Sequence, residues 1–570
     1  MPTQSRITPD RIVLVGVFLA AIAYLQDIRY DFILDDIPLI LMDETIASWR
    51  NWKTLFVNPI SPPVSSMFPV EFMTVHYRPV YRLWQMLNAQ LFGSVLPWWH
   101  LTSILLHIAA TILVYQLGIK LLKEPWTAAL AALLFAFHPI HVESVAYVTA
   151  STDLLVTIFS LIAFLAYFRF REEGASPIYF LGSVLAAAMA MLSKETAGMI
   201  PWMLVAYEAL RPSISGVPSG AWQRWKQFFW TLPFFAVVGA YVAVRTLLFG
   251  VNTGPGPGGS RWAALLDIPL VLILYLHNLF WPFRLSFFYP VEWGSEWTVL
   301  KAAAIVLAMV TAIYLWIQYQ DRSGVRLQLL WAAILFVPPV LGVYAFERAA
   351  WGQDRQVYLV SVPICLIVAA LLTDRRLPTK ASILVSALVL AILLVDTVFQ
   401  VPRFSDNAAI YASALKVAPR NTLAHGYYAE ALWSYGRYEQ GLREFKIVTD
   451  LLPKSPGAYE RYGAALAQTG QDDEAMAEYA KALHWSTSPT ALRAVVLSEM
   501  TGIELKRSEF QEAADHAREA IQIAPQTLNY HSLLAQALSR QGHTREADEE
   551  MRIEAGIRQR YVQEQRASKN

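Results

Sequence analysis

The sequence predicts an all-α protein in two parts, a polytopic bundle of membrane helices followed by a soluble solenoid of helical repeats. Three observations carry this. Of 570 residues, 55% are hydrophobic and 13% aromatic but only 16% are charged, short of the roughly 25% usual in soluble domains. Long apolar runs alternate with short charged loops until about Arg403, where the chain turns charged, Ala-rich and periodic. Beyond that point Gly436 and Gly470 stand one tetratricopeptide period apart. The expected domains are therefore 1–402, in the membrane, and 403–570, a tetratricopeptide-repeat domain.

The membrane part offers about eleven spans: 11–26, 98–122, 126–142, 153–169, 178–193, 196–210, 228–248, 298–318, 327–345, 356–373 and 380–399. The first lacks a small-residue cleavage site before Asp27 and is read as a retained span. Several fall short of the roughly 20 residues a straight crossing needs, which is tolerated where they line a cavity. The pair 178–193 and 196–210 flanks Ser193-Lys194-Glu195-Thr196 and is expected to form a tight hairpin, with one interrupted helix as the alternative. Segment 265–281 is apolar enough to cross, yet counting it would invert every later loop. Basic residues collect in one set of loops (Lys120, Lys123, Arg169, Arg171, Arg211, Arg322, Arg375 and Arg376 among them) if 265–281 stays on the outer side, interfacial or re-entrant. That places the N-terminus in the cytoplasm. Outside fall loops 27–97 and 249–297, the region from His138 to Asp153, the Lys194-Glu195 turn, loop 346–355 and the repeats. Nineteen Trp and 26 Tyr suit interfacial belts.

In the repeats, Gly436, Gly470 and Gly542 mark the turn inside successive helix pairs. Counted from each glycine, small residues fall where two helices touch: Ala429, Gly463 and Ala535, then Gly441, Ala475 and Ala547. Phe445, Tyr479 and Met551 are expected to fill the next layer, and Pro419, Pro453 and Pro525 to end second helices. A third repeat (roughly 489–525) carries four extra residues, a half repeat (407–419, with Tyr411 and Ala414) precedes the first, and a polar helix after 554 caps the stack. One repeat cannot bury its own face, so several must stack. Their trough is read as a peptide-binding groove, with a scaffold for subunit association as the alternative.

The candidate chemistry begins at Asp35 and Asp36, in Tyr30-Asp31-Phe32-Ile33-Leu34-Asp35-Asp36-Ile37-Pro38, where the first span leaves the bilayer. Paired carboxylates raise each other's pKa, and intramembrane or juxtamembrane acids mark sites where protons or cations are handled; two solvated loop acids are the plain alternative. Arg78, in His76-Tyr77-Arg78-Pro79, offers a fork to a phosphate or to the acids. His138-Pro139-Ile140-His141-Val142-Glu143 has metal-ligand types, but the proline breaks helical spacing and no second cluster helps. Hydrogen-bonded histidines at a helix end are expected instead, and a divalent metal is not favoured. Asp153, after Ser151-Thr152, is placed to cap the next span. Lys194 and Glu195 are expected in a buried charge network, because lone charges at that depth are expensive. Arg284, near Tyr289, and Arg355, near Tyr358, are the outer cations nearest apolar segments and match the need of a lipid phosphate; snorkelling is the alternative for both.

Net charge is +1, which gives no sign of nucleic-acid binding, and the single Cys365 permits no disulfide framework. Gly254-Pro255-Gly256-Pro257-Gly258-Gly259 is no phosphate loop, since no Lys-Ser/Thr follows. Without a nucleotide motif, a nucleophile elbow or a zinc-protease motif, the reading left is a reagent delivered from within the bilayer and activated by its own phosphate leaving group.

Leu34-Asp35-Asp36, Tyr77-Arg78-Pro79, Trp98-Trp99-His100 to Leu106-His107, His138 to Glu143 and Asp153, Leu192-Ser193-Lys194-Glu195 and Arg355 to Tyr358-Leu359, in that order and followed by repeats, resemble the transmembrane and tetratricopeptide-repeat O-mannosyltransferases. That family belongs to the C-type glycosyltransferase fold, and the chain looks like a prokaryotic member. The resemblance implies transfer of mannose or another hexose from a membrane polyprenyl-phosphate sugar to Ser or Thr hydroxyls of exported proteins held in the repeat groove. It also implies Asp35 as base; the physical reading adds Asp36 as a neighbour that keeps the base's pKa raised or orients the acceptor, and Arg284, Arg355 or Arg78 as the cation that stabilises the charge gained by the leaving lipid phosphate. His76, His138, His141, Glu143, Asp153, Lys194, Glu195, Tyr289 and Tyr358 support them. A bacterial inner membrane with periplasmic repeats follows, or the endoplasmic reticulum with lumenal repeats in a eukaryote. After Lys194-Glu195 the chain reads Thr196-Ala197 where the family has Gln-Gly. The same fold acting on a lipid or glycan acceptor, and a non-catalytic scaffold recruiting partners through its repeats, are the competing functions.

Overall fold

Apolar runs opened by proline set where several helices of the membrane part start. The computed structural model describes residues 8–58, 60, 76–172, 175–215, 226–250, 261–289, 298–319, 323–341, 353–486 and 490–569. The Gly254–Gly259 loop, and parts of loops 27–97, 249–297 and 346–355, lie outside them. Two compact units result, Met1–Pro419 and Arg420–Asn570. Among the described residues there is no strand, only an isolated bridge between Ile60 and His76.

In the first unit the helices are α1 (Pro9–Tyr24), α2 (Pro79–Phe92), α3 (Leu96–Leu122), α4 (Pro125–Phe137), α5 (Val142–Ala146), α6 (Ser151–Phe170), α7 (Ile178–Met191), α8 (Ile200–Ser215), α9 (Leu232–Phe249), α10 (Arg261–Phe280), α11 (Thr298–Gln318), α12 (Ser323–Leu335), α13 (Val337–Leu341), α14 (Ser361–Leu372), α15 (Thr379–Gln400) and α16 (Asn407–Val417). Proline opens α1, α2 and α4 and is the second residue of α3 and α9, where its missing N–H costs nothing.

Among the described residues, six helical stretches are long and apolar enough to cross a membrane: Pro9–Arg29, Leu96–Leu122, Val148–Phe170, Lys226–Phe249, Gly324–Leu341 and Thr379–Phe404. A seventh, Pro125–Ala136 with Pro139–Ala146, is bent by 50°, because Pro139 has no N–H to give and restricts His138 before it. Three other expected spans are shorter, Ile178–Met191, Leu307–Gln318 and Ser361–Leu372, as is Ile268–Phe280 within 265–281. The stretch 196–210 opens instead with a 3-10 turn, Glu195–Met199, before α8. The tight hairpin is not what forms, because α7 packs along α6 while α8 packs along α12.

Small residues bring the helices of this unit close. On α4, Ala128, Ala129, Ala131, Ala132 and Ala136 are buried between α3, α1 and α14. At Gly16 of α1 a Cβ would lie 1.9 Å from Leu133 Cδ2, so a larger residue there would force the Leu133 side chain to move. Close backbone approach replaces the hydrophobic drive that lipid removes.

The second unit is four helix pairs: α17 (Thr422–Ser434) with α18 (Tyr438–Leu451), α19 (Pro456–Gln468) with α20 (Asp472–Trp485), α21 (Ala491–Arg507) with α22 (Phe510–Ile523), and α23 (Tyr530–Arg540) with α24 (Thr544–Lys569). Gly436, Gly470 and Gly542 make the turns with φ of +71°, +80° and +89°, a region where L side chains are strained. In the third pair α21 has 17 residues against 13 in α17 and α19, so the turn falls on Ser508, at φ +64°. Ala429, Ala475, Ala535, Phe445 and Tyr479 are buried as expected, but Met551 is 48% exposed. It lies on α24, which packs on α23.

Candidate active site

A strained turn presents the acid pair. Past α1 the chain runs through a 3-10 turn to Arg29, and Leu34 then takes φ +49°, costly for a side chain branched beyond Cβ. Three hydrogen bonds hold it there. The Leu34 N–H donates to Asn407 Oδ1 (2.9 Å), the Ile33 N–H to Asp36 Oδ2 (3.2 Å) and the Asp36 N–H to the Ile33 carbonyl (2.8 Å). The two acids consequently face different surroundings. Asp35 is exposed. Asp36 is fully buried, and its Oδ1 accepts from the Thr149 N–H (2.7 Å) and hydroxyl (2.5 Å). Burial pushes its pKa up to about 7 against those bonds. Of the two acids expected to act, Asp36 is the one whose carboxyl is buried and committed to the turn and to Thr149.

Tyr147 links the exposed acid to a cation. Its hydroxyl oxygen accepts the Asp35 N–H (3.2 Å), while the Arg355 guanidinium lies 5.2 Å from its ring centroid. Arg355 reaches Gln353 Oε1 (2.9 Å) and the Glu143 carboxylate (3.5 Å). Burial disfavours its charge, but Glu143, Tyr147, Asp153 and Asp35 together hold its pKa above the ordinary value.

The charges beyond form a chain of pairs. Lys194 Nζ donates to Asp153 Oδ1 (2.5 Å), and the Arg78 guanidinium grips Glu195 at 2.7–3.2 Å. His76 Nδ1 is 3.8 Å from Glu195, and the Tyr241 hydroxyl donates to the Tyr77 carbonyl (3.0 Å). Burial lowers the Lys194 pKa, with Arg78 and Arg355 adding to it and Asp153 opposing. For Glu195 burial acts upward, yet Arg78 and His76 hold its carboxyl well below the usual range. Asp153 does not cap α6 as expected. It sits in the first turn, while the cap position is Ala150 without a side-chain bond, because the carboxylate is turned to Lys194.

The histidines and tyrosines are framework. His138 Nδ1 accepts the Ile140 N–H, leaving Nε2–H to donate to the Leu279 carbonyl (2.9 Å). His141 bridges the Phe135 carbonyl (2.8 Å) and Ser361 Oγ (2.8 Å). Tyr358 meets His107 Nδ1 at 2.7 Å. Tyr289 donates to Asp354 Oδ1 (2.6 Å), which also accepts from Asn278 (2.9 Å), and burial next to Glu143 pushes Asp354 up to about 7. Arg284 is exposed with no ion pair among the described residues. Among the described residues no three His, Cys, Asp or Glu side chains are arranged to hold a metal.

Sequence reasoning passed over Tyr147, Thr149 and Asp354, and over the fully buried pair of Asp27 with His100 Nδ1 (3.1 Å). Their signal was position alone: Tyr147 and Thr149 fall between the His138–Glu143 motif and Asp153, and Asp27 is the first charge after the opening span.

Apolar helices of crossing length define an integral membrane protein, with a tetratricopeptide-type helical array as its second unit. Residues 77–216 match the family model for dolichyl-phosphate-mannose-protein mannosyltransferase, a stretch that holds Arg78, Glu143, Asp153, Lys194 and Glu195 and leaves out Asp35 and Arg355. The chain is 34% identical over 358 residues to Protein O-mannosyl-transferase Tmtc2 of Drosophila melanogaster, covering 59% of this chain and 33% of that one. To Protein O-mannosyl-transferase TMTC4 of Homo sapiens it is 26% identical over 422 residues, 65% of this chain and 57% of that one. It thus spans between a third and three fifths of these relatives, and the resemblance to the transmembrane and tetratricopeptide-repeat O-mannosyltransferases is borne out. A solved structure with some likeness is the Archaeoglobus fulgidus oligosaccharyltransferase in its apo form, at 12% identity and TM-score 0.41, over 69% of this chain and 56% of that one.

Proposed function

We propose that the chain is a membrane glycosyltransferase that moves a hexose, mannose first among candidates, from a polyprenyl-phosphate donor to Ser or Thr hydroxyls of exported proteins. The repeats hold the acceptor, and the reaction takes place on the outer face of a bacterial inner membrane. One observation carries this reading: the exposed acid Asp35 and the cation Arg355 share Tyr147.

A hydroxyl is a poor nucleophile until its proton has somewhere to go. Asp35 takes that proton as the hydroxyl oxygen bonds to the sugar's anomeric carbon. The bond from that carbon to the phosphate oxygen breaks, and the lipid phosphate leaves with the electron pair. Arg355, kept charged by its carboxylate neighbours, steadies the phosphate as its charge grows; it has five N–H donors, more than Gln353 and Glu143 consume. Arg78 and Arg284 are further cations for the same headgroup. Lys194 and Asp153 hold the floor of the site.

The test uses the full chain in liposomes with polyprenyl-phosphate mannose and a Ser/Thr-containing peptide, followed by mass spectrometry. The peptide gains one hexose, and Asp35→Asn abolishes the gain. No hexose on any peptide from any supplied donor overturns the proposal, and hexose appearing on an added lipid or glycan moves it to that acceptor.

A further inference from the structure

Between the bent α4–α5 segment and α6 runs Tyr147-Val148-Thr149-Ala150, with a 3-10 turn over Val148–Ala150. It touches three groups of the site at once. The Tyr147 hydroxyl takes the backbone N–H of Asp35, Thr149 gives its N–H and hydroxyl to Asp36, and the Tyr147 ring lies under Arg355. None of these contacts uses the Asp35 carboxylate, which remains exposed. The strained Leu34 turn bonds to this loop through Asp35 and Asp36 on its C-terminal side, and to Asn407 through Leu34 itself.

We propose that Tyr147 and Thr149 are positioning residues: this one loop fixes where Asp35 stands relative to Arg355, and so fixes the distance between base and phosphate cation. The proposal rests on the transferase reading above. Physically, a left-handed leucine relaxes unless its surroundings over-determine it, and Thr149 on Asp36 is the strongest of the bonds that do so, being short and made to a buried carboxyl. Without it the turn relaxes and Asp35 drifts. A displacement of about 1 Å in a reacting group costs as much as a hundredfold in rate.

Three variants of the full chain in liposomes test this: Thr149→Val, which keeps the shape and loses the hydroxyl; Thr149→Ser, which restores it; and Tyr147→Phe, which keeps the ring under Arg355. Two readouts are taken, steady-state kinetics with polyprenyl-phosphate mannose and amide hydrogen exchange over residues 31–40. Thr149→Val and Tyr147→Phe lower kcat by about tenfold, as expected for one lost hydrogen bond to a positioned group, with the donor KM within about twofold. Exchange at residues 33–36 quickens in both, and Thr149→Ser recovers kcat and protection. Wild-type kcat and exchange in Thr149→Val would overturn the proposal, as would Thr149→Ser behaving like Thr149→Val. If the wild-type chain turns over no donor, the transferase reading fails by itself, and the exchange measurement still decides whether the loop clamps the turn.

Discussion

Lys194→Met is the sharpest probe of the charge chain that supports the site. Lys194 and Asp153 have side chains only 11% and 6% exposed and meet at 2.5 Å. Removing the lysine leaves a carboxylate buried among helices, and breaking a buried pair from one side costs about 3–5 kcal/mol. Arg355 and Arg78 stand near enough to feel these charges, so the lower end, about 3 kcal/mol, is expected. With about 2.1 cal/mol/K of unfolding entropy per residue over the unit Met1–Pro419, that lowers the melting temperature of the detergent-solubilised chain by roughly 3–4 °C. The double variant Asp153→Asn/Lys194→Met removes both charges and recovers most of the loss, since an apolar replacement of a whole buried pair is often neutral. Thermal unfolding of the single and double variants gives the answer. A single variant melting within about 2 °C of wild type, or a double variant no better than the single, would refute the claim that this pair is a buried unit.

Other outcomes follow from particular contacts. Asp354 has a folded-state pKa of about 7, above its ordinary value, through burial and Glu143; its contribution to stability is therefore complete below about pH 4 and is lost as pH rises through about 7. Asp354→Asn keeps an oxygen for Asn278 and Tyr289, so it should flatten the fall in melting temperature between pH 5 and pH 8; curves parallel to wild type would contradict this. In the repeats a Cβ at Gly463 would lie 2.7 Å from the Tyr479 ring, so Gly463→Ala should destabilise the array by about 1–3 kcal/mol in denaturant unfolding, whereas Gly457→Ala, with only Leu492 at 3.9 Å, should not. Ser508→Gly relieves a left-handed φ of +64° and should stabilise the array by about 1 kcal/mol in the same measurement.

What the sequence discloses is mostly periodic. Apolar run length gave seven of the eleven expected spans, one of them bent, and small residues at fixed distances from Gly436, Gly470 and Gly542 gave the repeat contacts, because each follows from one element's own geometry. Lys194 and Glu195 were legible as network charges, since depth makes a lone charge expensive. Their partners were not, as Asp153 and Arg78 stand 41 and 117 residues away in the chain. The fate of Asp36 depended on Leu34 adopting a left-handed conformation that no residue preference announces. Tyr147 and Thr149 carry no motif of their own and matter only through what tertiary packing sets beside them. Arg284 was legible as an outer cation, and it is exposed without an ion pair among the described residues.

The division of labour across Tyr147 is tested most directly by paired kinetics on Asp35→Asn and Arg355→Gln. Asp35 is exposed, so its amide variant should keep the fold and the donor KM while kcat falls by about 10²–10⁴-fold, the usual worth of a positioned base. Arg355→Gln should lose donor affinity as well as rate. An Asp35→Asn enzyme turning over within about fivefold of wild type would contradict the account.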